Sequence, residues 1–167
     1  MKHPALIPLI ATLIGSFAHS ADLPQDSLSS LEVMQRFLPH PPMPSESATL
    51  RDASGRLVGT AASSGARLIF RDHSGRLVGT ATTQGERTVF RDAAGRAVGT
   101  ALTAGTRTIY RDASGRTQAT ASRSGPQTTV RNSSGRIEAA AQTTGFRTVW
   151  RDATGRTVGT VTRRPRR

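Results

Sequence analysis

A chain of 167 residues has the length of one domain, yet only 35% of it is hydrophobic and 4% aromatic, which excludes a thick conventional core. The absence of cysteine excludes disulfides, thiolate metal sites, a lipoprotein anchor and cysteine nucleophiles together. The formal net charge is +12, and from residue 51 onward 21 arginines stand against 7 acids, a balance of +14 made entirely of guanidinium groups because Lys2 is the only lysine.

The first twenty residues, MKHPALIPLIATLIGSFAHS, join a basic start to an apolar run from Ala5 to Phe17 and end on the small residues Ala18 and Ser20. This is the pattern of a signal peptide, with cleavage expected after Ser20. The run is shorter than a membrane span and is interrupted by Pro8, and no second apolar stretch comes after it. The mature chain is therefore expected to be exported, to the periplasm or the surface of a bacterium, without a transmembrane segment.

Residues 21–48 form a segment of different composition. Within it Leu28, Leu31, Val33, Met34, Phe37 and Leu38 fall near helical spacing, with Ser29 and Glu32 placed as a capping box. Pro39, Pro41, Pro42 and Pro44 then end the helix and make a linker. Such a segment either packs loosely, or serves as a helix covering an apolar face of the repeats or as a docking signal.

From residue 49 to 162 a twenty-residue unit repeats six times, as in RDHSGRLVGTATTQGERTVF, and residues 163–167 form a basic tail. Glycines recur at 55, 65, 75 and so on to 155 without an insertion. Glycine at this density, with abundant Thr and Val, disfavours helix and favours strands of six or seven residues. In the Asp-x-Ser-Gly stretches, such as Asp52 to Gly55, Asp can accept the N–H two residues on and Gly can take a left-handed conformation. A second turn ends at Gly65, Gly85, Gly105, Gly125 and Gly145, so each repeat reads as one hairpin.

Treating both turns as four-residue loops sets Arg71 opposite Arg76, Phe70 opposite Leu77, Thr80 opposite Arg87 and Leu77 opposite Phe90. Rows then run straight across the sheet and no stagger accumulates, so the sheet is expected to stay open or coil as a spiral unless bulges intervene. The expected fold is all-β, an open twisted antiparallel meander of six hairpin repeats, with a parallel β-solenoid as the alternative. Phe70, Phe90, Tyr110 and Trp150 line one face together with Leu57 and Leu77. The other face carries Val58, Ile69, Val78 and Val89, flanked by arginines.

The stretch F-R-D-x-S-G-R-L-x-G-T resembles the YD repeat of Rhs-type proteins, an aromatic, a Tyr-Asp pair and then G-R-L. Phe70, Phe90 and Tyr110, then Asp72, Asp92 and Asp112, then Gly-Arg at 75 and 76, 95 and 96, and 115 and 116 match that pattern. Arg stands in place of the motif Tyr in every repeat, and no C-terminal toxin domain is present after the repeats. The resemblance covers residues 50 to 160 and implies hairpin strands on a large-surface repeat scaffold.

Catalytic chemistry is poorly represented. His73 occurs on one turn in a single copy and His40 sits among prolines, so neither has the base-and-nucleophile company that catalysis needs. Five of the six turns offer one aspartate each, whereas calcium takes six to eight oxygens. No enzyme activity, cofactor or metal is expected. Arginine, by contrast, brings a planar fork that grips carboxylate, sulfate or phosphate with two hydrogen bonds. Arg67, Arg71, Arg76, Arg87, Arg91, Arg96, Arg107, Arg111, Arg116, Arg147, Arg151 and Arg156 are the candidate anion-binding residues. The expected partner is an anionic polymer of the envelope or matrix: acidic polysaccharide, lipopolysaccharide phosphate or extracellular DNA. Two alternatives compete, a fibre or matrix subunit that self-associates through open strand edges, and an immunity or inhibitor protein.

Overall fold

The computed structural model describes residues 46–165. The expected signal peptide, the helical segment with its linker up to residue 45, and the last two arginines of the tail lie outside the described residues. Twelve strands succeed one another: β1 (Glu46–Asp52), β2 (Leu57–Ser64), β3 (Arg67–Asp72), β4 (Leu77–Gln84), β5 (Arg87–Asp92), β6 (Ala97–Ala104), β7 (Arg107–Asp112), β8 (Thr117–Ser124), β9 (Gln127–Asn132), β10 (Ile137–Thr144), β11 (Arg147–Asp152) and β12 (Thr157–Pro165). Each pairs antiparallel with its neighbours in sequence, as expected for a hairpin meander and unlike a parallel solenoid. The sheet is not open, however. Strand β1 pairs with β12 from Glu46↔Pro165 to Asp52↔Gly159, and the meander closes into a barrel.

Closure overturns the expected open sheet, and with it the YD-repeat resemblance and the large-surface repeat scaffold it implied. The error lies in one turn. Ser64 pairs with Arg67 and Gln84 with Arg87, so the second connection holds two residues rather than four. Its first residue is the glycine, at φ +59° for Gly65 and +58° for Gly85, as a type II′ hairpin turn requires. Pro126, second in its turn, has the fixed negative φ that this position takes.

The other connection keeps the expected Asp-capped form. Gly75 N–H donates to Asp72 O at 3.0 Å, Asp72 N–H donates to Arg76 O at 3.0 Å, and Gly75 sits at φ +83°. A bulge comes next, because Phe70 pairs with Gly79 while Arg71 pairs with Leu77, leaving Val78 as the extra residue.

Together these turns displace the rows. A line from Phe70 on β3 crosses Gly79 on β4 and reaches Asp92 on β5, two residues beyond the equivalent Phe90. Six repeats of that offset give a stagger of about twelve residues for twelve strands. Equal stagger and strand number correspond to a strand tilt of about 36°. With strands about 4.8 Å apart, the ring is roughly 22 Å across.

Alternation along the strands sends one row inward. Leu50, Phe70, Phe90, Val130 and Trp150 are buried on the odd strands, with Tyr110 partly buried, and Ala61, Ala81, Ala101, Ala121, Ala141 and Val161 are buried on the even ones. Phe70 is flanked by Ala61 on one side and Gly79 on the other, so each large side chain lies between small ones. Leu57 and Leu77, expected beside the aromatics, are exposed instead, because the bulge turns them outward. One strand glycine is fixed by close approach: a Cβ on Gly99 would stand 2.6 Å from the Arg111 carbonyl oxygen. A more polar layer lies below the aromatics, where hydroxyl pairs Thr83–Thr88, Thr103–Thr108 and Thr143–Thr148 bond at 2.9 to 3.0 Å. Those pairs satisfy groups that would otherwise be costly to shelter from water.

Candidate anion-binding rims

Because hairpins alternate in direction, the two turn types collect at opposite ends of the barrel. The Asp turns make one rim and the two-residue Gly turns make the other. The Asp-turn rim carries two arginines per repeat. Arg51, Arg71, Arg91, Arg111, Arg131 and Arg151 point outward from the strand ends, and each donates from Nη1 to the carbonyl of the glycine four residues on, at 2.8 to 3.0 Å. That bond stiffens the guanidinium while the rest of its fork faces solvent. Arg56, Arg76, Arg96, Arg116, Arg136 and Arg156 come directly after the turn glycines, and the backbone N–H of each donates to the turn Asp or Asn Oδ1 at 2.9 to 3.0 Å.

The aspartates are thereby directed at the backbone. Asp72 Oδ1 accepts from the Ser74 and Arg76 N–H groups, both at 2.9 Å. Asp112 accepts from Ser114 N–H, Ser114 Oγ, Arg116 N–H and Gln118 Nε2. The ion pair resolved on this rim joins Arg96 Nε to Asp92 Oδ2 at 2.7 Å. For Asp92, partial burial raises the carboxyl pKa, but the Arg96 guanidinium and the Arg96 and Ala94 N–H groups outweigh it and hold the value below the usual carboxylate range. Burial is likewise outweighed at Asp112, by Ser114, Arg116 and Gln118. At Asp152 the Thr154 hydroxyl is the main cause of a lowered value, reinforced by the Arg156 and Thr154 N–H groups.

Equivalent arginines sit two strands apart, about 10 Å, which exceeds the screening length of roughly 8 Å at physiological salt. A ring of like charges at that spacing is therefore tolerable. The opposite rim is sparser. Arg67, Arg87, Arg107 and Arg147 open the odd strands there and are exposed, Gln127 replaces the fifth, and Arg123 Nε donates to Gly125 O at 3.1 Å.

The twelve sequence-predicted arginines thus do not share one broad face. Arg71, Arg76, Arg91, Arg96, Arg111, Arg116, Arg151 and Arg156 gather on the Asp-turn rim, and Arg67, Arg87, Arg107 and Arg147 on the other. Arg71 does not oppose Arg76: it pairs with Thr60 and Leu77, while Arg76 lies in the turn. Sequence reasoning passed over Arg51, Arg56, Arg131 and Arg136, which repeat the same positions in the first and fifth units. Carrying the repeat frame through those units would have found them. His73 lies in its turn within 3.3 Å of Ser74 Oγ. No cluster of three or more metal-ligating side chains occurs among the described residues.

No protein-family model matches the chain, and no curated protein matches it. Among solved structures it is similar to a protein from Arabidopsis thaliana, at 14% identity and a TM-score of 0.49, covering 73% of this chain and 82% of that one. It is also similar to a LolA superfamily protein from Nitrosomonas europaea, at 12% identity and a TM-score of 0.41, covering 84% and 93%. A domain named for outer membrane lipoprotein sorting, from Vibrio parahaemolyticus, aligns at 8% identity with a TM-score of 0.34, covering 84% and 93%.

Proposed function

We propose that the protein is an exported, non-enzymatic β-barrel that binds an anionic polymer of the bacterial envelope or matrix through the arginine ring of its Asp-turn rim. The partner chemistry is sulfate, carboxylate or phosphate repeated along a chain: acidic polysaccharide, lipopolysaccharide or extracellular DNA. One observation carries this reading. The rim aspartates accept hydrogen bonds from their own turns, so the acids nearest the arginines are engaged by backbone while the guanidinium groups face outward.

The fibre alternative draws less support, because β1 and β12 pair with each other within one chain and leave no free edge among the described strands. The test is the affinity of the mature protein for heparin and for duplex DNA across a salt series. Binding is expected to weaken steeply as salt rises, since each neutralised phosphate or sulfate releases a counterion. Affinity that stays constant between low and high salt overturns the proposal. A stoichiometric protein recovered in a pull-down would move the reading to an inhibitor or immunity role.

A further inference from the structure

The Asp-turn rim is not the same all the way round. The residue that opens each even strand pairs with the rim arginine at the end of the strand before it: Leu57 with Arg51, Leu77 with Arg71 and Ile137 with Arg131. Side chains paired in this way stand about 5 Å apart on one face of the sheet, here the outer one. Leu57, Leu77 and Ile137 are exposed by 38%, 41% and 48%. A single exposed leucine calls for no explanation. Three large apolar side chains at one repeat position, each beside an arginine, do.

Closure gathers them on one side. Ile137 opens β10, Leu57 opens β2 and Leu77 opens β4, and because β12 adjoins β1 these strands follow one another around the wall, with Thr157 of β12 between Ile137 and Leu57. On the remaining arc, β6 and β8 open with Ala97 and Thr117. That arc is also where a rim arginine is captured, Arg96 Nε by Asp92 Oδ2 at 2.7 Å. Ala94 stands in that turn where Ser54, Ser114 and Thr154 donate a hydroxyl to the carboxylate, so Asp92 takes its side-chain donor from Arg96 instead. The other exposed large apolar residues among those described, Leu102 and Phe146, lie toward the opposite rim, on β6 and in the turn between β10 and β11.

We infer that the arc from β10 through β12 and β2 to β4 docks on an anionic phospholipid surface. Leu57, Leu77 and Ile137 enter the headgroup layer, and the arginines beside them hold phosphate. This rests on the rim arginines being an anion site, as proposed above, and adds an apolar phase to what they bind. A sulfated or phosphorylated polymer gives the guanidinium groups their counter-charge but no such phase, whereas a headgroup layer supplies both. Arg71 is held for the purpose: its Nη1 donates to Gly75 O at 2.8 Å, which fixes the fork beside Leu77 and directs its remaining N–H groups away from the turn. Strands such as β3 and β4 have six and eight residues, fewer than the roughly 9–11 that cross a bilayer, so the contact is one of rim with surface.

The test is sedimentation of the mature full-length chain with vesicles of phosphatidylglycerol and phosphatidylcholine in equal parts, and with vesicles of phosphatidylcholine alone. Binding is expected to the first and not the second, and to weaken as salt screens the arginines. Combining Leu57→Ser, Leu77→Ser and Ile137→Ser is expected to lower vesicle affinity about fiftyfold, at about fourfold for each half-exposed side chain that no longer leaves water. Heparin affinity of that variant should change less than twofold, and its melting temperature should hold because the side chains are already exposed. Leu102→Ser, 45% exposed and paired with Arg87 near the other rim, should bind vesicles as the parent does. Thr157→Leu, which fills the gap in the arc, should bind them several-fold tighter.

The inference is overturned if the triple variant binds vesicles as well as the parent, or if Leu102→Ser loses as much. Heparin binding without vesicle binding overturns lipid docking and leaves the rim reading standing. Failure to bind either overturns both.

Discussion

The two rims of the barrel are made from the same twenty-residue unit and differ in loop length, capping and charge. On one side a glycine at φ +59° opens a two-residue turn. On the other, a capped turn and a bulge spread two arginines per repeat around the mouth. The two turns set the stagger together, and the Asp turn contributes most of the charge.

The widest difference between the rims is expected in polymer binding. Replacing Arg76, Arg96 and Arg116 with Gln should lower the salt slope of heparin or DNA affinity by roughly three. The matching change at Arg67, Arg87 and Arg107 should have well under half that effect, measured by the same titration. Equal slopes would erase the distinction.

Turn stability comes next. Asp112→Ala removes an acceptor of four hydrogen bonds and should cost about 1–3 kcal/mol in denaturant unfolding. Thr106→Ala, in the opposite turn, should be close to neutral. Substituting alanine for Gly105, at φ +56°, should cost about 1–2 kcal/mol because the left-handed region penalises a Cβ.

Acid sensitivity should be the mildest effect and confined to the Asp-turn rim. The carboxyl groups of Asp92, Asp112 and Asp152 are lowered in the folded chain. Their contribution is complete above the unfolded value of about 3.9 and is lost as pH falls through the lower folded values. Thermal melts from pH 6 to pH 2 should show the decline, and an Asp112→Asn variant should flatten it.

Much of this arrangement was legible in the residues. Asp with Gly three positions on named the capped turn, and period-two alternation placed Phe70 and Arg71 on opposite faces. Closure was not legible, and the reason is local. In TTQGE, Gly85 can end a four-residue turn or begin a two-residue one, and both uses draw on the same positive φ. The choice moves each partner by two or more positions and adds the stagger that a barrel needs. The Val78 bulge was hidden for a similar reason, since an extra residue beside a turn leaves the alternation on the far side intact. The rim arginines were recognised as a set, but their division between two mouths depends on that same register.

The constant offset per repeat also makes repeat number a discrete control of bore. Deleting one hairpin from a solenoid shortens it. Removing twenty residues here would narrow the ring by two strands, and duplicating twenty would widen it by two, with tilt preserved in either case. Unequal crossing-over in a gene of this periodicity would therefore change the calibre of the product in steps.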